Sequence, residues 1–414
     1  MLLWKELNYE VITPLYLGGT EPRKGLNESN EERVKLDTRI RIRPILAMWR
    51  YWYRALAGGL LGTTAAALRL IHRREQELFG GVHEQNDDEA HAAKFRVRLV
   101  SQRIAEHREY TAHRDPLFNY LGFGVASTKE EGPRLGIAPK TTFTVEVVCD
   151  EATWDMLSTL NYIWVNCGGL GARHRRGLGS IAWHDPAYNP PARPYELLTA
   201  YRARFSMLFG TEANAAEFDE RAGPEMPVIH SDWCQIKVSR PFGTWLEALS
   251  AIRNQLRIDV EKTSPPPTLH LGERGYGYRQ GNGQSHEWVE VRTKKGFPYY
   301  PGRDKAEAQR ALDGDRHPAP VLDNVSFGLP VAYSGWGMIV NVMLDGVELR
   351  RPSPVSFRVL QDGRGYRVAI LYFKSRFLPK NAKIVARGVE IAQPSDWSYL
   401  DAFFDGCSGT RVTI

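Results

Sequence analysis

The sequence predicts an α+β fold built from two ferredoxin-like (RRM-like) units, each with the order β-α-β-β-α-β and with helical and loop insertions. Segments with apolar residues at every second position alternate with segments of helical period, and one complete set of six elements ends before residue 186. A strand-like stretch followed by a helix starts again near Val228. The length of 414 residues also exceeds what one compact core usually supports.

The elements of the first unit follow from these periods and from their capping residues. In chain order they are a strand (7–17), a charged loop (20–37), a helix from Pro44 that stops at Gly58-Gly59, a helix over the apolar run 65–71 that ends in a glycine cap at Gly80-Gly81, strands at 95–100 and 143–148, a helix capped by Asp150 (151–166) and a strand (180–183). Proline suits a first helical turn, and an aspartate side chain accepts from the free N–H groups there.

The remaining elements are less regular. They are a proline-rich linker (185–194), a helix (195–209), a strand (233–238), a helix (244–258) with Leu246, Leu249, Ile252 and Leu256 inward, insertion loops (263–320) and a set of strands (328–377). We therefore expect an N-terminal domain at residues 1–185, a linker and helical connector at 186–227, and a C-terminal domain at 228–414.

The most unusual stretch joins the last helix of the first unit to its last strand. Residues 168–180 contain five glycines and three arginines, with the glycines spaced as Gly-x-Gly, five residues, Gly-x-Gly. Glycine lets another backbone approach closely, and each arginine carries a planar fork of donors that suits phosphate. The stretch indicates a site for a polyanion, formed by Gly169, Gly171, Arg173, His174, Arg175, Arg176, Gly177 and Gly179.

Two better-known glycine loops are excluded. A P-loop needs Lys and then Ser or Thr directly after its last glycine, whereas Gly179 is followed by Ser180 and Ile181. A dinucleotide loop runs from a strand into a helix, and this stretch runs from a helix into a strand. A simpler alternative stays open, in which Gly168 caps the helix and a solvated basic turn follows.

The helix that contains Pro44 has a basic side. At 100° per residue, one narrow stripe collects Arg43, Ala47, Arg50 and Arg54. Trp49 and Trp52 lie opposite the stripe and are expected in the core. A row of arginines with one small residue suits a nucleic-acid backbone that crosses the helix. In the alternative, the face is solvated and Arg50 and Arg54 pair with nearby acids.

Composition limits the function without deciding it. The formal net charge of +6 fits an anionic partner. The four cysteines form no Cys-x-x-Cys pair, so neither a zinc site nor a disulfide framework is indicated, and no other metal or cofactor site is recognisable. The N-terminus lacks the apolar core of a signal peptide, and the longest uncharged run (55–68) is too short to span a bilayer. We expect a protein of the reducing cytoplasm without membrane contact.

Several strings resemble the RAMP proteins, the RNA-binding modules of CRISPR systems. The loop string Gly-Gly-Leu-Gly-Ala-Arg-x-Arg-Arg-Gly and the helix string Arg-Tyr-Trp-Tyr-Arg-Ala-Leu resemble one branch, the first RAMP subunit of the type III-B (Cmr) effector complex. Other matching strings lie at 13–19, 74–81, 119–124 and 350–355, so the match touches both halves and is tighter in the first. The chain departs from the family at Ala47, where Gly is usual, and at His174, where Ser is frequent.

This resemblance implies a non-catalytic RNA-binding subunit of that complex, acting in antiviral defence. Its partners would be the 3′ part of the CRISPR RNA, the target single-stranded RNA or both, together with other Cmr subunits. It would cap the filament of repeated RAMP subunits, and cleavage would belong to a neighbouring subunit. The glycine-rich stretch and the helix stripe would hold the RNA, and we expect the loop arginines to do so without contributing to the fold.

Two other functions stay open. A metal-independent RAMP endoribonuclease that processes CRISPR RNA precursors would need a general base near the 2′-OH, and His174 is the only histidine inside the loop. It is otherwise a loop contact or a bystander. A pure assembly protein would use the same basic surfaces against acidic proteins. Two interpretations of the insertion also stay open. Either Arg274, Tyr276, Tyr278 and Arg279 contact RNA, or they belong to a loop that binds no ligand.

Overall fold

Two four-stranded antiparallel sheets, one in each half of the chain, carry the fold. The structure, a computed structural model, describes residues 1–17, 39–81, 92–110, 115–122, 125, 135–184, 198–209, 216–219, 223–256, 277–280, 287–292, 298–299, 310–311, 313–314, 319–320, 322–333, 338–363, 365–394 and 397–412. The mixture of helices and strands predicted from the sequence is confirmed.

The first sheet has the order β2-β5-β1-β6. The elements of this half are β1 (Leu3–Val11), α1 (Ile42–Leu61), α2 (Ala65–Phe79), β2 (Arg96–Arg103), β3 (His107–Glu109), α3 (Pro116–Leu121), β4 (Leu135–Ile137), β5 (Thr142–Cys149), α4 (Glu151–Cys167) and β6 (Ile181–His184). β1 is antiparallel to both of its neighbours, β5 and β6, and β2 pairs with the far side of β5. The predicted succession of strand, helix, two strands, helix and strand is therefore present along the chain, and its four strands β1, β2, β5 and β6 form one sheet.

Local sequence signals explain these elements. Alternate residues of β1 are buried, among them Tyr9 and Val11, because one face of the sheet packs on the helices. The Asp150 carboxylate accepts a hydrogen bond of 2.7 Å from the Thr153 N–H, which confirms the predicted cap of α4. Trp49 and Trp52 of α1 are 0% and 2% exposed, so their predicted core position is also confirmed.

The second sheet has the order β14-β15-β7-β18. The elements of this half are α5 (Leu198–Phe209), β7 (Cys234–Val238), α6 (Trp245–Leu256), β8 (Gly277–Gln280), β9 (Glu287–Arg292), β10 (Pro298–Tyr299), a short 3₁₀ helix (Asp323–Phe327), β11 (Val331–Tyr333), β12 (Met338–Leu344), β13 (Val347–Leu349), β14 (Val355–Asp362), β15 (Gly365–Phe373), β16 (Lys383–Ala386), β17 (Val389–Ile391), α7 (Ser398–Gly406) and β18 (Thr410–Val412). Along the chain, β7, α6, β14, β15, α7 and β18 repeat the succession of the first half.

Inserted strands form further sheets. The prediction of loops at 263–320 is wrong where the structure describes that region, because β8, β9 and β10 pair there. Another sheet, with its own small core, is formed by β11, β12, β16 and β17. Its first two strands precede the β14-β15 hairpin in the chain and its last two follow it. Arg274 and Tyr276 lie outside the described residues, and so do the loop at 20–37 and the linker at 185–194.

The predicted bounds of α1 are wrong at both ends. The helix starts at Ile42, two residues before Pro44, and it continues through Gly58 and Gly59. A Cβ on Gly59 would overlap the Ile229 carbonyl oxygen, so this glycine allows a close backbone approach instead of ending the helix.

Two further helices complete the packing. In α6, Leu249, Ile252 and Leu256 are buried as predicted, whereas Leu246 is 44% exposed and the prediction for it is wrong. The connector helix α5 packs on α1, since the rings of Phe205 and Tyr53 lie 5.7 Å apart. Within the described part of the chain, no helix combines the length and the apolar character that crossing a membrane requires.

A buried lysine links β7 to the last helix. Lys237 is 5% exposed, and its ammonium donates to the carbonyl oxygens of Phe404, Asp405 and Cys407 at 2.6, 3.0 and 3.1 Å. These oxygens belong to the C-terminal end of α7, where carbonyl groups lack helical partners and the helix dipole favours a cation.

We expect Lys237→Met to lower the free energy of unfolding by about 2–4 kcal/mol, because the carbonyl groups at the end of α7 lose a charged donor. Lys383→Met is the matched control: Lys383 is 63% exposed and pairs with Glu390 at 2.8 Å, so its loss should cost less than about 1 kcal/mol. Urea denaturation measures both variants, and equal losses would contradict the role of Lys237.

Candidate nucleic-acid interface

The glycine-rich segment, residues 168–180, is tied to the end of β1. The Gly168 N–H caps α4 by donating to the Trp164 carbonyl at 2.7 Å. The Gly179 N–H then donates to the Pro14 carbonyl and the Ala172 N–H to the Tyr16 carbonyl, both at 2.8 Å. Because both arms of the segment bind residues 14–16, the segment is a fixed part of the first unit.

The same segment also binds the second sheet. The Phe357 N–H of β14 donates to the Arg175 carbonyl at 2.8 Å, and the Val359 N–H donates to the Ser180 hydroxyl oxygen at 3.1 Å. Arg176 pairs with Phe357 in a parallel bridge. The glycine-rich segment therefore lies in the seam between the two units.

The glycines of the segment make room for the protein itself. A Cβ on Gly179, whose φ is +61°, would overlap the Leu170 carbonyl oxygen, and a Cβ on Gly171, at φ +78°, would overlap the Tyr16 carbonyl oxygen. At Gly177 the Ile252 side chain of α6 would be 2.5 Å away, and at Gly169 the Cβ of His174 would be 3.0 Å away. The close approach that these glycines allow is therefore made by the protein's own backbone and side chains. Contact of their backbone with RNA stays a prediction.

A buried arginine fixes both ends of the segment. Arg358 of β14 is 1% exposed and donates through Nε and Nη2 to the Val165 carbonyl at 3.0 and 2.7 Å, and through Nη2 also to the Ile181 carbonyl. Val165 lies in the last turn of α4, where the helix dipole is negative, and Ile181 begins β6. Sequence reasoning missed Arg358, because its only signal is a charged residue within an apolar strand.

The loop arginines have structural partners, contrary to expectation. Arg175 Nη1 donates to the Ser353 carbonyl at 2.7 Å, and Arg176 Nη1 donates to the Tyr120 carbonyl at 2.9 Å. Arg173 adopts a left-handed backbone with φ +59° and is partly exposed. Replacing these residues together would therefore remove tertiary hydrogen bonds as well as charge.

Two cations lie together in the seam. The Arg351 guanidinium donates to the Phe377 carbonyl and, at 3.2 Å, to the Pro352 carbonyl. Burial and the nearby charge of Arg175 lower the pKa of Arg351 to about 9. Neither Arg175 nor Arg351 has a carboxylate partner among the described residues. The sequence signal for Arg351 is the family-like string at 350–355, which by itself does not link this residue to the glycine-rich segment.

The helix stripe on α1 is divided into two parts. Arg50 and Arg54 both bind the buried Glu75 carboxylate of α2, at 3.1 and 2.6 Å. The structure thus matches the alternative in which these two arginines pair with a nearby acid, and RNA contact by them stays a prediction. Arg43 and Ala47 are exposed. A residue that sequence reasoning overlooked, Tyr51, continues from Ala47 by one helical turn and lies 6.0 Å from the Arg175 guanidinium.

His174 is a neutral residue of the seam. Its Nδ1–H donates to the Gly171 carbonyl at 3.0 Å. Burial, and after it the charge of Arg175, lower the pKa of His174 to about 4 from 6.5. The imidazole is therefore uncharged at neutral pH and adds nothing to the positive charge of its neighbours.

Comparisons with known proteins agree with the resemblance seen in the sequence. Residues 8–182 match the family model of the RAMP superfamily. The CRISPR system Cmr subunit Cmr1-2 of Pyrococcus furiosus is 25% identical over 192 residues, which are 42% of this chain and 90% of that protein. The crystal structure of Cmr1 from Pyrococcus furiosus (apo form) superposes with a TM-score of 0.52 at 16% identity, over 99% of this chain and 98% of that one. That likeness shows a shared fold.

We expect Gly179→Ala to lower the free energy of unfolding by about 2–5 kcal/mol, because the new methyl group meets a backbone oxygen and the backbone is left-handed. Gly388→Ala separates the two causes: Gly388 has φ +80° and no atom within 4 Å of an added Cβ. The control should cost only about 1–2 kcal/mol. Thermal and urea unfolding measure both, and similar losses would show that the contact has no role.

The depressed pKa of His174 predicts a pH dependence. Between about pH 6.5 and the folded-state pKa of about 4, the unfolded chain binds a proton that the folded chain does not, so stability is lost as pH falls through this window. His174→Gln keeps a donor for the Gly171 carbonyl and removes the titration. We therefore expect the stability of the wild type to fall faster than that of the variant below pH 6.5 in urea unfolding. Parallel pH profiles would refute this.

Proposed function

We propose that this chain, whose residues 8–182 match the RAMP superfamily model, is a non-catalytic RNA-binding subunit of a type III-B CRISPR effector complex. The two four-stranded units act as two ferredoxin-like RAMP domains, with the inserted sheet carried by the second. The ligand is single-stranded RNA, either the 3′ part of the CRISPR RNA or the target RNA. Other Cmr subunits are its protein partners in antiviral defence.

The observation that carries the proposal is the charge of the seam. Arg175 and Arg351 come from different units, bind main-chain carbonyl groups and have no carboxylate partner among the described residues. The carbonyl oxygens accept from some of the guanidinium N–H groups but leave two positive charges uncompensated. A phosphodiester carries the compensating negative charge and can accept from the remaining N–H groups, so bound RNA would stabilise the seam.

The exposed part of α1 leads toward this seam. Arg43 offers an exposed guanidinium near the start of the helix, and Ala47, one turn later, presents only a methyl group. Tyr51 follows after another turn and lies beside Arg175. An RNA backbone can therefore run along this side of α1, with a phosphate at Arg43 and another at the seam. Arg50 and Arg54 contribute less, since Glu75 offsets part of their charge.

The same geometry supports a non-catalytic role. Metal-independent cleavage needs a base whose pKa lies near the working pH, and the pKa of His174 at about 4 makes it a weak base. Its Nδ1 is also occupied by the Gly171 carbonyl. We therefore assign cleavage to a neighbouring subunit and keep the endoribonuclease as the outcome that would contradict this assignment.

We expect Arg43→Ala to weaken the binding of single-stranded RNA by up to about tenfold at low salt and to reduce the slope of log affinity against log salt by about 0.7, the share of one phosphate contact. Because Arg43 is exposed, its replacement should not change the melting temperature. Filter binding over a salt series makes the measurement.

Arg98→Ala is the matched control, because Arg98 is exposed on β2 and pairs with Glu146 at 2.6 Å, away from the seam. Equal effects of the two variants would mean that only overall charge matters. RNA binding that is absent or insensitive to salt would favour an assembly protein. Site-specific cutting of repeat RNA in EDTA, lost in His174→Ala, would favour the endoribonuclease.

A further inference from the structure

A small, partly open cavity lies where α1, the glycine-rich segment and β14 meet. Its wall includes Tyr51, Trp52, Gly168, His174, Arg175 and Ser356. The volume of about 20 Å³ is enough for a water-sized polar group. A polar group of a ligand in the seam can therefore enter this cavity.

One wall residue offers a hydrogen-bond donor with no acceptor. Trp52 is 2% exposed, and its Nε1 has no hydrogen-bond partner among the described residues. Nε1 faces Gly168, at 2.6 Å from the position that a Cβ there would take. The neighbouring Trp164 Nε1 does have an acceptor, the Gly169 carbonyl at 3.2 Å. Trp49 Nε1 is also without a partner, but Trp49 does not belong to this wall. A buried donor left unsatisfied is costly, so an acceptor in the cavity would be stabilised.

Another wall residue offers an acceptor. His174 uses its Nδ1–H to bind the Gly171 carbonyl, so the neutral ring keeps Nε2 as an unprotonated nitrogen. Burial and the charge of Arg175 keep the pKa of His174 at about 4, and the acceptor therefore persists at neutral pH. The residues that line the cavity thus include one free donor group, on Trp52, and one acceptor nitrogen, on His174.

We propose that this cavity receives the ribose 2′-hydroxyl of bound RNA, which accepts from Trp52 Nε1 and donates to His174 Nε2, and so selects RNA over DNA. The inference rests on the proposed function. A phosphate oxygen only accepts hydrogen bonds, so it could not satisfy the histidine nitrogen, whereas a hydroxyl group both donates and accepts. Arg175 on the same wall is placed to hold the phosphate next to that ribose.

The test uses two ligands that differ only in the 2′ position, an oligouridylate and an oligodeoxyuridylate of equal length. The wild type should bind the RNA more tightly, and Trp52→Phe, which keeps an aromatic ring but lacks the N–H, should lower the RNA-to-DNA affinity ratio by about two- to tenfold. The affinity for the DNA oligomer should stay unchanged. Fluorescence anisotropy measures both ligands, and thermal unfolding checks that the variant is folded.

A second pair of variants keeps the test decisive if Trp52→Phe is unstable. His174→Leu should lower the ratio as well, whereas His174→Gln, which retains a side-chain acceptor, should recover part of it. An unchanged ratio in Trp52→Phe and His174→Leu, or an equal loss for both oligomers, would overturn the inference while leaving RNA binding established. A wild type that binds neither oligomer would refute the proposed function itself, and the inference with it.

Discussion

The structure depends on the placement of Arg358 at the boundary between its two units. The side chain extends from the second sheet and donates to the carbonyl oxygens of Val165, three residues before the glycine-rich segment, and of Ile181, directly after it. A buried guanidinium is tolerated only where acceptors are fixed, and the end of α4 supplies them with a favourable dipole. One side chain thereby sets the span of the segment and joins the two units.

The unusual composition of the segment follows from this constraint. With its ends fixed, the chain must pass close to residues 14–16 of the first unit and α6 of the second. A side chain would meet the Tyr16 carbonyl at Gly171, the Leu170 carbonyl at Gly179 and the Ile252 side chain at Gly177. The arginines and His174 lie between these glycines, and Arg175 reaches the second unit at the Ser353 carbonyl. Glycines and arginines therefore alternate because close packing and charge are required in the same few residues.

The proposed interface requires both halves of the molecule. The family match covers residues 8–182, yet the seam takes Arg351, Ser356 and Phe357 from the second half. Charge is distributed unevenly around α1. Glu75 offsets part of the charge of Arg50 and Arg54, whereas Tyr51, on another side of the helix, lies beside Arg175. RNA binding of this kind would stabilise the contact between the units, because the phosphate would compensate cations that come from each of them.

The sequence by itself determined the succession of elements, the cap at Asp150 and the core position of Trp49, because periodicity and capping involve residues only a few positions apart. It also identified the loop and the helix that reach the seam. Only the tertiary structure decided that Arg50 and Arg54 share Glu75, that Gly59 continues its helix, and which atoms fill the space beside the glycines. Those outcomes depend on residues brought together from distances of up to about 180 positions, as in the contact of Val359 with Ser180, and no local pattern specifies them.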